Sequence, residues 1–172
     1  MTDFLDLAKR RFSARKYLDK KVEREKLDVI LEAGRVAPTT ENGQPQRILV
    51  VEDEQGLIAL ESCGNPYRAP LAFVICADVG DSFHDPETNR DSYEVDAVIV
   101  ATHMMLAAAD QDLGSIWIGQ FDRKSIRRSF NVPEEWAIVC ILLIGYADCE
   151  SDMDRHRTAR RPLEETVFYG SF

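Results

Sequence analysis

Two periods organise the hydrophobic and polar positions of this chain, and the switches between them outline its elements. Phe4 and Leu7 share a face behind Thr2, a side chain suited to capping, and predict a short first helix. Over residues 23–35, Leu27, Ile30, Leu31 and Gly34 recur at helical spacing, and Ala37-Pro38 stops the helix because proline pushes its predecessor out of the α region. The segment 38–45 carries two prolines, a glycine and many polar side chains, so a loop is expected there. Residues 47–52 and 70–78 read as strands, the second apolar enough to be buried, with a helix over 55–62 between them. Nothing is periodic over 80–90, which is expected to be the most mobile segment.

The longest pattern, 92–113, is apolar on most sides through Val98, Ile99, Met105, Leu106 and Ala107-Ala108-Ala109. It predicts a central helix packed all round and ended by Gly114. A short strand over 115–118, a helix from its cap Asp122 to about Phe130, a strand over 138–144 and a polar, loop-like tail from 148 complete the order. Helices and strands alternate without a βαβ rhythm, and no GxGxxG follows a strand. The expectation is therefore an α+β sheet flanked by helices rather than a Rossmann dinucleotide fold.

At 172 residues the chain can bury a substantial core, and with no linker or repeat we expect one domain over 1–172. A hydrophobic content of 45% beside 30% charged residues is that of a globular protein. The net charge of −9 and a pI near 4.9 argue against nucleic acid as a partner, since binding its backbone requires a basic face. Met1-Thr2-Asp3 leads straight into a helical pattern rather than a leader, and Asp96, His103, Asp110 and Gln111 interrupt the apolar tract 95–113. No membrane association is expected, and a cytoplasmic location is. Cys63, Cys76, Cys140 and Cys149 form no CxxC pair and read as reduced thiols. With His84 and His103 they show no ligand spacing, so no metal site is expected.

Against this acidic background two basic clusters stand out: Arg10-Arg11-Phe12-Ser13-Ala14-Arg15 near the start, and Arg155, His156, Arg157, Arg160 and Arg161 near the end. Guanidinium forks bond a dianionic phosphate bidentately, and a hydroxyl satisfies a remaining oxygen. Both clusters could meet on one anion, or both could be solvated charge. His84, His103 and His156 lie in separate contexts, with no Ser/His/Asp or Cys/His signature. The residues by themselves lead to an anion pocket in an α+β domain.

Four segments in order resemble the FMN-dependent nitroreductase family: Arg11-Phe12-Ser13-Ala14-Arg15, Ala37-Pro38-Thr39-Thr40-Glu41-Asn42-Gly43-Gln44-Pro45, Leu113-Gly114-Ser115-Ile116-Trp117-Ile118-Gly119 and Arg160-Arg161-Pro162-Leu163. The likeness covers nearly the whole chain. It implies a nitroreductase-like fold with a mostly antiparallel central sheet, a homodimer with the long helix in its contact, and FMN at the subunit interface. By this resemblance Arg11, Ser13 and Arg15 hold the phosphate, Phe12 between them is a cofactor-binding residue, and Arg160 or Arg161 closes the site from the tail. Asn42 and Gln44 match loop amides that offer both donor and acceptor to the flavin ring. Ile118 and Gly119 match a turn whose backbone N–H faces flavin N5, where glycine permits close approach. Trp117 is expected in the core.

The activity implied is ping-pong hydride transfer from NADH or NADPH to a nitroaromatic, quinone or related small-molecule acceptor, with the cofactor carrying the chemistry and no catalytic side chain. Gln46 stands where many members have Trp, which bears on acceptor choice, and the lack of long insertions suggests an open pocket. The alternatives are a protein that binds or stores FMN without turnover, a flavin-destroying or dehalogenating specialist with lid residues between Gly80 and Arg90, and a cofactor-free interaction domain.

Overall fold

The computed structural model describes residues 3–64 and 67–172. Asp3 caps the first helix, α1 (Phe4–Arg10), by accepting from Leu5 N, whereas the expected cap Thr2 lies outside the described residues. No residue of α1 is buried, and Phe4 is 65% exposed. Helix α2 (Arg24–Arg35) buries Leu27, Ile30 and Gly34, the face expected from its spacing, with Leu31 partly covered. Strand β1 (Gln46–Val51) is followed by α3 (Glu54–Ser62), capped by Asp53, and by β2 (Leu71–Asp78), buried almost throughout.

Residues 80–90 hold more structure than their sequence suggested. A 3-10 turn at Val79–Asp81 leads into a small hairpin of β3 (His84–Asp85) and β4 (Arg90–Asp91). The hairpin is closed by a 2.8 Å contact between His84 Nδ1 and Asp91 Oδ1, and Asp85 organises its turn by accepting from Glu87 N and Thr88 Oγ1. Bonds between short polar side chains and nearby backbone leave no hydrophobic period to read.

The long helix α4 (Tyr93–Asp110) lies under the sheet, and it departs from expectation in two ways. It is not packed all round: Ala97, Val100, Ala101, Met104 and Ala108 are buried, but Val95 is 59% and Val98 41% exposed. A largely apolar composition cannot distinguish a core helix from one with a second, open apolar face. Nor does Gly114 end it. The helix stops at Asp110, Asp112 takes the left-handed conformation (φ 58°), and Gly114 opens the next strand between Ala14 and Ala147.

Strand β5 (Gly114–Ile118), helix α5 (Arg123–Phe130), capped by Asp122, and strand β6 (Trp136–Gly145) complete the main sheet. Its order is β1-β2-β6-β5 with every pairing antiparallel, and a bulge falls between Ile75 and Cys76. One face carries Phe73, Ile75 and Leu142 against α2 and α4; the other carries Val74, Ile141 and Leu143 against α3 and α5. The tail holds only a helical turn, α6 (Arg155–Thr158), and a 3-10 turn at Leu163–Glu165. All four cysteines are free, with Cys63, Cys76 and Cys140 buried and Cys149 exposed. Among the described residues no helix is long and apolar enough to cross a membrane.

Candidate functional site

The segment after α1 runs along the open edge of β5. Ser13 forms a parallel bridge with Ser115, and Ala14 N donates to Ser115 O at 2.9 Å. With Ala14 fully buried beside Gly114, alternation turns Arg11, Ser13 and Arg15 away from the sheet.

The tail crosses this segment because its basic residues find the carbonyls that end α1. Arg155 donates to the carbonyl of Arg11 and, at 3.4 Å, to that of Lys9, while His156 Nε2 donates to Lys9 O at 2.8 Å. The result is a cavity of about 490 Å³ lined by Arg11, Phe12, Ser13, Arg15, Arg155 and Arg160, with Cys149 and Glu150 at its side. The two basic clusters thus meet. Of the two candidates from the tail, Arg160 lines the cavity, whereas Arg161 forms an exposed ion pair with Glu165 at 3.6 Å.

Among the described residues neither Arg11, Arg15 nor Arg160 pairs with a carboxylate. The Arg11 guanidinium is held below its ordinary pKa, first by burial and then by repulsion from Arg155 and Arg160. Four arginines converge on this cavity against one carboxylate, Glu150; the excess of cations is unfavourable in the protein alone, and an anion in their midst reverses the sign. Chemically the cavity is suited to a dianion such as a phosphate ester.

The amide loop lies elsewhere. Three of its non-glycine residues, Glu41, Asn42 and Gln44, have φ of 51°, 58° and 52°, a strained left-handed conformation that surrounding bonds must hold. Thr39 Oγ1 accepts from Gln44 N at 3.0 Å, and Arg47 Nη1 donates to Gln44 O at 3.2 Å. The same Arg47 reaches Asp78 and Asp81, against whose backbone Gly43 packs. Buried Asp96 accepts from Thr40 N at 2.7 Å and Thr40 Oγ1 at 2.9 Å. The side chains of Asn42 and Gln44 stay exposed, and Gln44 Nε2 donates to Asn42 O at 3.1 Å.

Sheet register places these parts. Gly119 follows β5 four residues beyond Ser115, so it stands about 13 Å from Ser13 along the same edge. It is exposed, its φ is unexceptional, and an added Cβ would meet only Trp117 Nε1 at 3.9 Å. The Ile118 side chain belongs to the core and its backbone pairs with Ile141 of β6, while Trp117 packs partly buried on the α4 face. The amide loop instead enters β1, at the opposite edge. From Gln46 through Ala77 and Ala137 to Ile144 and Ser115, it lies about 20 Å along the strands and about 19 Å across them from Ser13. No hydrogen bond joins the loop to the cradle among the described residues.

Sequence reasoning left Arg155 without an assignment and took Asp96 only as an interruption of an apolar tract. A carboxylate in an otherwise apolar stretch was the available signal, since such a group is buried only with donors around it.

An antiparallel sheet between two helical layers, with an arginine-lined cavity at one edge and a strained amide loop at the other, defines a small α+β protein. Comparison identifies its kind: the nitroreductase family profile matches residues 8–62 and 57–146, and the chain belongs to that family. A nitroreductase family protein from Clostridium difficile 630 shares 38% identity over 99% of this chain and 100% of its own, with a TM-score of 0.96. A second solved structure, an FMN-dependent nitroreductase from Clostridium difficile R20291, is 32% identical over 98% of this chain and 99% of its own, with a TM-score of 0.80. A relative from Methanothermobacter thermautotrophicus, provisionally named NADH dehydrogenase/NAD(P)H nitroreductase, is 31% identical over 84% of this chain and 77% of its own.

Proposed function

We propose that this chain is an FMN-dependent NAD(P)H oxidoreductase that works as a homodimer. The observation that carries the proposal is the set of guanidinium groups that form no ion pair among the described residues, Arg11, Arg15 and Arg160, around one cavity whose single carboxylate is Glu150, in a chain of net charge −9. They fit a terminal phosphate, with Ser13 as a further donor. Gly119, about 13 Å along the same edge, is exposed and has only Trp117 Nε1 near the place of an added Cβ, which leaves room for a ring system beside it. The names of the relatives at 32% and 31% identity support FMN and NAD(P)H in particular.

The dimer follows from the split site. Gln46, where the loop enters the sheet, lies roughly 25–30 Å from Ser13, farther than one flavin nucleotide spans, so the amides of Asn42 and Gln44 meet the ring from a second protomer. The open apolar face of α4, with Val95 and Val98, supports the same association.

When bound, the flavin would supply the redox chemistry, two-electron transfer between NADH or NADPH and an electron-poor acceptor such as a nitroaromatic or a quinone. The chain's own task is positional. Arg11, Arg15 and Arg160 neutralise the phosphate, the Gly119 N–H offers a fixed donor where negative charge grows, and the amide side chains of Asn42 and Gln44 provide a donor and an acceptor each. No side chain need act as nucleophile or base.

The test is the visible spectrum of the purified protein after incubation with FMN, followed by NADH or NADPH without oxygen. Flavin bands that bleach within seconds support the proposal. Bands that persist favour a flavin-binding or storage role without turnover. Protein that remains colourless overturns the assignment.

A further inference from the structure

We propose that Asp96 is a positioning residue for the flavin-facing loop, holding Asn42 and Gln44 in their left-handed conformations from the first turn of α4. The inference rests on the function proposed above. Asp96 is 0% exposed, yet it meets no cation among the described residues. Its charge is carried by three donors: Thr40 N and Thr40 Oγ1 on Oδ1, and Ser92 Oγ on Oδ2 at 2.7 Å. Its place in the first helical turn adds the favourable end of the helix dipole.

Helix integrity alone does not call for this arrangement. The bonds from Thr40 span 56 residues and end on the residue immediately before Glu41 and Asn42, the first two left-handed positions. Ser92 extends the junction: Phe83 N donates to Ser92 Oγ at 3.1 Å and Ser92 N donates to Phe83 O at 2.9 Å, so the β3–β4 hairpin hangs from the same carboxylate. One buried side chain therefore anchors both the amide loop and the hairpin, while the phosphate cradle lies at the far edge of the sheet and takes no part. Strained backbone persists only where its surroundings over-determine it, and at Thr40 the over-determining group is Asp96.

The separation of cradle and loop gives a test that general destabilisation cannot mimic. D96A, D96N and T40V are compared with the wild-type protein by amide exchange over residues 39–44 and by titration with FMN and with inorganic phosphate. In D96A we expect exchange at Thr40, Asn42 and Gln44 to speed up, and FMN affinity to fall, each by at least about tenfold, with phosphate affinity within twofold of wild type. D96N keeps an acceptor for Thr40, and Ser92 Oγ can accept from the new amide, so it restores most of both readouts. T40V loses one of the two Thr40 bonds and falls between them; it carries the test if D96A does not fold. Unchanged loop exchange in D96A, or in T40V where D96A is unfolded, overturns the positioning role, as does an equal loss of FMN and phosphate affinity. A wild-type protein that binds no FMN overturns the proposed function instead, whatever the variants show in exchange.

Discussion

Replacing Arg11 by Met separates two quantities that usually fall together, stability and ligand affinity. In the flavin-free protein the Arg11 guanidinium is partly buried and faces Arg155 and Arg160, which hold its pKa below the ordinary value. A base with a lowered folded pKa, still charged at neutral pH, opposes folding, so removing the charge relieves repulsion and the thermal midpoint of the apo protein rises. Met keeps most of the apolar stem, so little packing is lost. With a phosphate in the cradle the sign reverses. The lost charge-assisted hydrogen bond is worth about 2 kcal/mol, which corresponds to a roughly 30-fold rise in Kd. Titration of apo protein with FMN, followed by flavin fluorescence, measures that loss, and riboflavin, which lacks the phosphate, should lose almost nothing. FMN affinity within twofold of wild type, or a midpoint that falls with the mutation, would refute the reasoning.

Other outcomes follow from single contacts. An alanine Cβ at Gly43 would stand 2.6 Å from the backbone O of Asp81, so Gly43→Ala should cost about 1–3 kcal/mol in urea unfolding and weaken FMN binding; an unchanged midpoint would remove the contact from the argument. Burial pushes the Cys76 thiol up to about 11 and the Cys140 thiol up to about 12, and Cys63 is buried, so alkylation mapped in the native protein should mark Cys149 alone until denaturant is added. The Tyr146 hydroxyl donates to Glu23 at 2.6 Å and, with Glu23's own backbone N–H and Lys20, lowers the Glu23 carboxyl to about 2 from an ordinary 4.5. A folded pKa below the unfolded one contributes stability that is full above about 4.5 and lost as pH falls toward about 2. Glu23→Gln should therefore lower the unfolding midpoint at neutral pH and flatten its decline between those limits, and identical pH profiles would disprove the link.

Periodicity was enough for α2 and the strands of the main sheet because each buries one face or both in the packing around that sheet. Leu27, Ile30 and Gly34 mark α2, and the apolar run of β2 marks a central strand. The hairpin over 84–91 escaped because polar side chains bonded to local backbone hold it, and α4 misled because one apolar composition serves both a core face and an open one. Within the site, two arginine clusters in an acidic chain were legible as an anion pocket, and the structure brings Arg11, Arg15 and Arg160 together. The choice between Arg160 and Arg161 was not legible, since adjacent residues of the same type differ only in the direction the backbone gives them. Arg155 was visible as charge but not as the side chain that binds the tail to the carbonyls of Lys9 and Arg11.

The two local features least favourable to the isolated chain are the cations around Arg11 and the left-handed run at Glu41, Asn42 and Gln44, and they occupy opposite edges of one sheet. Under the proposed function each finds its counterpart in the ligand: the cradle takes the phosphate, and the loop's amides take the ring. In a dimer that places one protomer's cradle against the other's loop, a single nucleotide meets both at once. Binding and association are then linked, and linkage is reciprocal. The factor by which FMN tightens the dimer must equal the factor by which dimerisation tightens FMN, so dilution below the dimer dissociation constant should release flavin and added FMN should restore the dimer. A protomer that held FMN equally well alone would leave the strained loop without a purpose. The open face of α4 and the split site therefore stand or fall together.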